Sequence, residues 1–338
     1  MKKRDFTKGS ILGNILTFSL PYMLSYFLQI LYGLADLFVT GRYCNVASIT
    51  SVSNGAQVMY MFTVVIIGLA MGTTVLVARS VGANDQRRIA QTIGNTVTMF
   101  LVLAVVLSGI LLMLRYHIVK VIDTPQEAVQ GTIDYLTICF SGIPFIVAYN
   151  VIASIFRGLG DTRSPMYFVG IACVINIGLD FLFIGYFDLG PSGAALATVI
   201  SQMISVTTAL IAIARHRSVL GVQRHDLKPD RKVISDILKI GIPVAMQDGF
   251  IQVAFIAITV IANGRGLADA AAVGIVEKFI GLLFVVNSAM LSTVSTLSAQ
   301  SLGAGRMARA QATMRYAMAI SVGFGSIRAI TLQLVLDM

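Results

Sequence analysis

Two residues near the middle of the chain set the problem: Asn176 and Asp180, in the run Asn176-Ile-Gly-Leu-Asp180. They stand one helical turn apart, so on a helix they project from one face. The surrounding stretch, from about Met166 to Phe187, is apolar, and no other charge intervenes between Arg163 and Asp188. Asp180 is therefore expected well inside a bilayer. A carboxylate there costs at least about 2.5–3.5 kcal/mol on insertion scales unless it faces a wet cavity or is protonated. A second acid, Asp36, lies in another apolar helix, Ile30-Leu-Tyr-Gly-Leu-Ala-Asp36-Leu-Phe. One polar pair alone reads equally as glue between two helices. Two intramembrane acids in one half of the chain favour a proton- or cation-binding site in a transporter.

The elements that must hold these acids are membrane helices. Hydrophobic residues make up 56% of the chain, charged residues 12%, and mean hydropathy is +0.82, which excludes an ordinary soluble domain. Apolar runs of about twenty residues recur, the pattern of a polytopic helical membrane protein. Spans are expected near Ile15–Val39, Asn54–Ala78, Gln91–Leu114, Thr132–Phe156, Met166–Phe187 and Ser192–Ala214, then near Ile234–Ala262, Ala271–Gln300 and Ala312–Leu336. Lys2, Lys3, Arg4 and Lys8 precede the first, whose apolar run is too long for a signal peptide and has no small-residue cleavage site after it. It reads as a signal anchor and first span.

The net charge of +9 comes mostly from residues between spans and reports orientation rather than nucleic-acid binding. With the amino terminus inside, 19 of the 25 Lys and Arg fall in inside segments, against Arg42, Arg115, Lys120 and Arg265 outside. That bias places the amino terminus in the cytoplasm of a multi-pass protein of the cell membrane. Within spans, Glu277-Lys278 can neutralise itself, whereas Arg328 has no evident partner. Cys44, Cys139 and Cys173 lack paired or metal-ligand spacing, and His117, His216 and His225 fall at loop positions, so no metal site is expected.

Three segments follow: a six-helix lobe over 1–214, a basic linker over 215–233, and about three further helices over 234–338. The linker, with Arg-His-Arg from Arg215, Arg224-His225, Pro229 and Arg231-Lys232, reads as a solvated loop held near anionic headgroups. It lacks the aromatic interleaving of a nucleic-acid surface. An internal repeat spans it. Ser19-Leu-Pro21 aligns with Gly241-Ile-Pro243 at an offset of 222, and Leu76-Val-Ala-Arg-Ser-Val-Gly82-Ala83 aligns with Leu297-Ser-Ala-Gln-Ser-Leu-Gly303-Ala304 at 221. An even helix count per copy and a linker on one side make the copies parallel, related by an axis along the membrane normal. Two full copies on this period need about 440 residues, so the second lobe is expected to be incomplete. Its Ser292–Ser301 stretch of small and hydroxyl residues is then expected to face lipid.

Arg157-Gly-Leu-Gly-Asp161-Thr-Arg-Ser-Pro165, followed by Asn176-Ile-Gly-Leu-Asp180 and Gly193-Ala-Ala-Leu-Ala-Thr198, resembles the multidrug and toxic compound extrusion family. Asp36 with Gly41-Arg42, and the Gly82-Ala83 turn with its second copy, extend the resemblance over nearly the whole chain. It implies an all-α, two-lobed secondary transporter that is not an enzyme and expels drugs in exchange for sodium ions or protons. It also implies a cation network at Asp36, Asn176, Asp180 and Thr198. The family's acid in the seventh helix has no clear counterpart; Asp248 and Gln252 stand nearest.

The chemistry of that network stands apart from the resemblance. A cation entering a low-dielectric lobe needs an acid to neutralise it and neutral oxygens to complete its shell. Asp36 and Asp180 supply charge; the Asn176 carbonyl and the Thr198 hydroxyl supply neutral oxygen. Two nearby carboxylates also favour sharing a proton over carrying two charges. Gln29 and Tyr32 share the face of Asp36 and, with Asp248 and Gln252, are candidates for a substrate cavity. Pro21 marks a kink point and a plausible hinge. Gly158-Leu-Gly160-Asp161 is no phosphate loop, having no preceding strand and no Gly-Lys-Ser/Thr; it reads as a tight turn whose Arg157, Asp161 and Arg163 latch loops in one transport state. Gly82-Ala-Asn-Asp85 reads as a helix end with Gly82 as a left-handed cap.

The function expected is a sodium- or proton-coupled antiporter exporting amphipathic, often cationic, organic compounds. No cofactor, nucleic acid or obligate protein partner is implied. The alternatives are a lipid-linked oligosaccharide flippase, which would favour a cationic cavity, and an inactive truncated gene product.

Overall fold

The computed structural model describes residues 6–215, 221–265 and 267–336, with side chains outside 259, 262–275, 277–279, 282, 331–332 and 334–336. Lys2, Lys3, Arg4 and His216, and the side chains of Arg265 and Glu277-Lys278, therefore lie outside the described residues. Among the described residues there are ten α-helices and no strand. They are α1 (Ile11–Tyr43), α2 (Val46–Gly82), α3 (Gln86–Val121), α4 (Gln126–Ser141), α5 (Ile143–Gly158), α6 (Arg163–Asp180), α7 (Gly190–Arg215), α8 (Arg231–Arg265), α9 (Leu267–Gly303) and α10 (Met307–Leu336). Short polar caps start the first three: Ser10, Asn45 and Asp85 each accept a hydrogen bond from a backbone N–H three residues on. Among the described residues, six helices are each long and apolar enough to cross a membrane: α1, α2, α3, α6 with the turn that follows it, α7 and α8. The segments expected to span at Ala271–Gln300 and Ala312–Leu336 lie in helices α9 and α10.

The single span expected over Thr132–Phe156 is instead two helices, α4 and α5, meeting at 51°. Pro144 in the first turn of α5 has no N–H to give, so the helix cannot run straight through it. The freed carbonyl of Phe140 accepts a hydrogen bond from the Ser108 hydroxyl of α3 at 2.6 Å. Gly142 sits at the corner, where a Cβ would collide with Val199 of α7. Pro21, by contrast, lies within the continuous helix α1, with the Ser25 hydroxyl donating to its carbonyl at 2.9 Å.

Two glycine-lined seams join the lobes. Along α2 and α8, Gly68 faces Ala245, Gly72 faces the Ile237 carbonyl, and Gly241 faces Leu69, so the backbones touch where side chains would hold them apart. At the basic end of the bundle, where α1 begins, Gly82 lies on the backbone of Gln300 while Gly303 lies on the backbone of Arg79. In the repeat alignment Arg79 matches Gln300 and Gly82 matches Gly303, so this contact is reciprocal, as a two-fold axis between α2 and α9 requires. Gly82 is thus needed for close approach. The left-handed residue of its turn is Asn84 (φ 55°), matched in the second copy by Gly305 (φ 71°). The Ser292–Ser301 stretch expected to face lipid is buried in this seam at Ser292, Thr293, Thr296, Gln300 and Ser301. Arg328, without an evident partner in sequence, donates to the Leu283 carbonyl of α9 at 2.8 Å.

Each lobe also sends its entry segment across to the other. Before α1, the Phe6 and Lys8 carbonyls accept from the Arg309 guanidinium of α10 at 3.2 and 2.9 Å, and Phe6 N–H donates to Gln300 at 3.4 Å. Before α8, the Leu227 carbonyl accepts from Thr98 of α3 at 2.7 Å, and Asp230 N–H donates to the Asn95 side chain at 2.6 Å. Among the described residues, no ion pair ties the turn at Gly160 to another loop in this conformation. Asp161 instead accepts from Arg163 N–H, Ser164 N–H and the Ser164 hydroxyl, which starts α6, and Arg157 turns inward.

Candidate cation site in the first lobe

Asp180 is the last residue of α6, and the chain leaves it through a π-helical turn, Phe181–Tyr186. Such turns recur at functional sites because they re-aim side chains without ending the helix. Nothing in the apolar run Phe181–Tyr186 announces it in sequence. Opposite, α7 begins with Gly193-Ala-Ala-Leu-Ala197, whose Gly193, Ala194, Ala195 and Ala197 are all buried. These small residues let α7 close onto the turn, within 3.2 Å of Ile184 at a Cβ built on Gly193. That approach carries Thr198 to α1, where its hydroxyl donates to Asp36 Oδ2 at 3.4 Å.

Asp36, Asn176 and Asp180 are 6%, 1% and 0% exposed. Asp36 faces Asp180, Asn176 and Thr198, so the four residues expected to form one network do come together, from α1, α6 and α7. Five of their side-chain atoms are buried without a hydrogen-bond partner: Asp36 Oδ1, both Asp180 oxygens, and the oxygen and nitrogen of Asn176. Two buried carboxylates with unspent lone pairs are costly unless a positive charge joins them. The donor set, three carboxylate oxygens and an amide oxygen beside a hydroxyl, fits a proton or a small hard cation.

Gln202, one turn beyond Thr198 on α7, belongs with the group and was missed in the sequence. It is buried, its Oε1 lacks a partner, and it lies beside Tyr32. The Thr198/Gln202 spacing was the available signal. Tyr32 faces Asp36, and Gln29 faces Tyr149 of α5, so both stand on the inner face of the first lobe. Asp248 and Gln252 are on α8, half-buried and buried. Among the described residues, no hydrogen bond or charge contact joins them to the Asp36 group.

The MatE family model matches residues 21–182 and 243–337. The chain belongs to the MatE family. The two matched segments begin at Pro21 and Pro243, the first pair of residues aligned by the internal repeat. Among MatE relatives, the probable multidrug resistance protein YoeA of Bacillus subtilis is 26% identical over 328 residues, covering 95% of this chain and 71% of YoeA. The probable multidrug resistance protein YpnP of the same organism is 28% identical over 310 residues, covering 91% and 69%. A solved outward-facing conformation of a multidrug resistance MATE family transporter superposes with a TM-score of 0.88 at 23% identity, over 100% of this chain and 75% of that one, and shares its fold. The MatE chain is accordingly a multi-pass membrane transporter, whose Arg157–Thr198 run supplies Asn176, Asp180 and Thr198 to the site that Asp36 completes from α1.

Proposed function

We propose that this chain serves a cation-coupled antiporter that exports amphipathic, often cationic, organic compounds across the plasma membrane. Its basic end faces the cytoplasm, and Asp36, Asn176, Asp180 and Thr198 hold the coupling ion, sodium or a proton. The observation that carries the reading is the pair of buried carboxylates, three of whose four oxygens have no hydrogen-bond partner in the protein. Loading a cation cancels one of the two negative charges and lets the carboxylates share it; releasing it leaves two facing charges, and that difference can bias one arrangement of the lobes over another. An organic cation that competes for the same acids is exported as the ion enters. MatE relatives named as probable multidrug resistance proteins support export of drugs as the activity.

The test is efflux of a fluorescent cationic dye from proteoliposomes under separately imposed sodium and proton gradients. One gradient is expected to drive efflux, and Asp180→Asn to abolish it at an unchanged level of membrane protein. Efflux that continues in Asp180→Asn removes the site. A loss of folded protein in its place marks Asp180 as structural glue.

A further inference from the structure

The first lobe contains a second buried charge that the cation site does not use. Arg157, in the last turn of α5, is 9% exposed, and its Nε is buried without a hydrogen-bond partner. Among the described residues no carboxylate pairs with it. Asp161, the nearest acid in sequence, is committed to starting α6. The guanidinium rests on the ring of Tyr22 in α1, 5.3 Å from its centroid. An unpaired buried cation is costly, and a ring face offsets only part of that cost.

Its place in the lobe gives the charge a use. Tyr149 lies just over two turns back along α5, facing Arg157, Tyr22 and Gln29. Tyr32 faces Tyr149, Gln202 and Asp36. A run of neutral polar side chains thus leads from Asp36 through Tyr32, Tyr149 and Tyr22 toward the basic end, and Arg157 stands at its far end. Hydroxyls and amides in series are the groups along which a cation or proton moves through a protein interior.

We propose that Arg157 is a cation plug: a fixed positive charge, seated on Tyr22, that stops the coupling ion from leaking between the Asp36 site and the cytoplasm through the first lobe. This rests on the cation-site reading above. Coulomb's law at an effective dielectric of about 20 makes passage of a unit charge within about 8 Å of an unpaired guanidinium roughly thirtyfold rarer. The plain alternative is that Arg157 only complements the carboxyl end of α5, which a basic residue does wherever it ends a helix. Such a role would affect stability and not ion flow.

The test is passive ion leak in proteoliposomes without substrate, read by entrapped pyranine for protons and by radioactive sodium uptake. Arg157→Gln is expected to raise the leak by about tenfold or more. Arg157→Lys, which keeps the charge, is expected to stay at the unmodified level, and Asp36→Asn combined with Arg157→Gln to return to it. An unchanged leak in Arg157→Gln, or equal leak in Arg157→Gln and Arg157→Lys, overturns the plug. Loss of dye coupling in Asp36→Asn with no leak in Arg157→Gln defeats this inference and leaves the cation site standing. A second measurement keeps Arg157 itself. Tyr22→Cys is titrated from the cytoplasmic side with anionic and cationic methanethiosulfonates, each normalised to a free thiol. The anionic reagent is expected to react about tenfold faster; equal rates overturn the proposal.

Discussion

Helices α1 and α8 occupy matching places in the two copies of the repeat, each with a proline at the matched position, Pro21 and Pro243. Their surroundings at the basic end match too. Each is entered by a segment tied to the third helix of the opposite lobe, and the helices that follow them meet through the reciprocal Gly82 and Gly303 contacts. Their interiors do not match. The repeat offset carries Asp36 onto Ala257 or Ile258, and Ile258 is 49% exposed rather than turned onto a buried acid. The contrast separates two requirements. Rocking two lobes against each other needs paired, nearly equivalent surfaces, which backbone contacts and glycines supply. Sensing an ion needs only one set of oxygens in one lobe, because a single charge change can bias a two-state equilibrium.

The sharpest break in that comparison is chemical. Asp36→Asn is expected to reduce gradient-driven dye efflux to that of protein-free vesicles, whereas Ile258→Asn at the matched position is expected to leave it near the unmodified rate. Efflux assays on the two variants side by side decide it. Equal losses in both would mean that the second lobe carries ion chemistry of its own.

These acids were legible in sequence because an intramembrane carboxylate stands out against an apolar run, and Asn176 four residues before Asp180 fixed their shared face. The repeat was legible because Pro21/Pro243 and Gly82/Gly303 are backbone-determining residues, whose spacing survives change in the side chains between them. What escaped was set by distant partners. The break at Gly142 looked like continuous helix because Pro144 can start one as readily as kink one, and the Ser108 bond that accommodates it comes from α3. From its own turn Gly82 reads as a cap, whereas its reason is the carbonyl of Gln300 more than 200 residues away. Ser292–Ser301 reads as lipid-facing when its partners are sought only in the second lobe, and the first lobe covers it.

The next effect in size tests the shared surface. A Cβ on Gly82 would collide with the Gln300 carbonyl, and one on Gly303 with the Arg79 carbonyl, so neither helix end can stay where it is. Overpacking of this kind costs about 1–3 kcal/mol. Gly82→Ala and Gly303→Ala are each expected to shift the population toward a state separated at the basic end. A spin-label pair placed across α2 and α9 would read this as a longer distance. Because the contact is reciprocal, the two shifts should be similar; a large effect in one and none in the other would break the pseudo-two-fold reading.

The smallest expected effect concerns the crossed entry segments. Asn95→Ala removes the acceptor for Asp230 N–H and a donor to the Asp226 carbonyl, and Arg309→Ala removes the donor to the Phe6 and Lys8 carbonyls. The bonds to Asp230, Phe6 and Lys8 are only partly buried, so water can replace the lost partner there and each substitution is worth about 1 kcal/mol and not the full cost of a buried orphan. Amide hydrogen exchange should report this locally. Protection of Asp230 should fall about fivefold in Asn95→Ala with the Phe6 segment unchanged, and the Phe6 segment should loosen in Arg309→Ala with Asp230 unchanged. The bonds differ in kind, neutral amide on one side and guanidinium on the other, so added salt should weaken the Arg309 tie more than the Asn95 tie. If both segments loosen together in either variant, the ties act as one clasp across the two lobes, and the gate at this end opens as a unit.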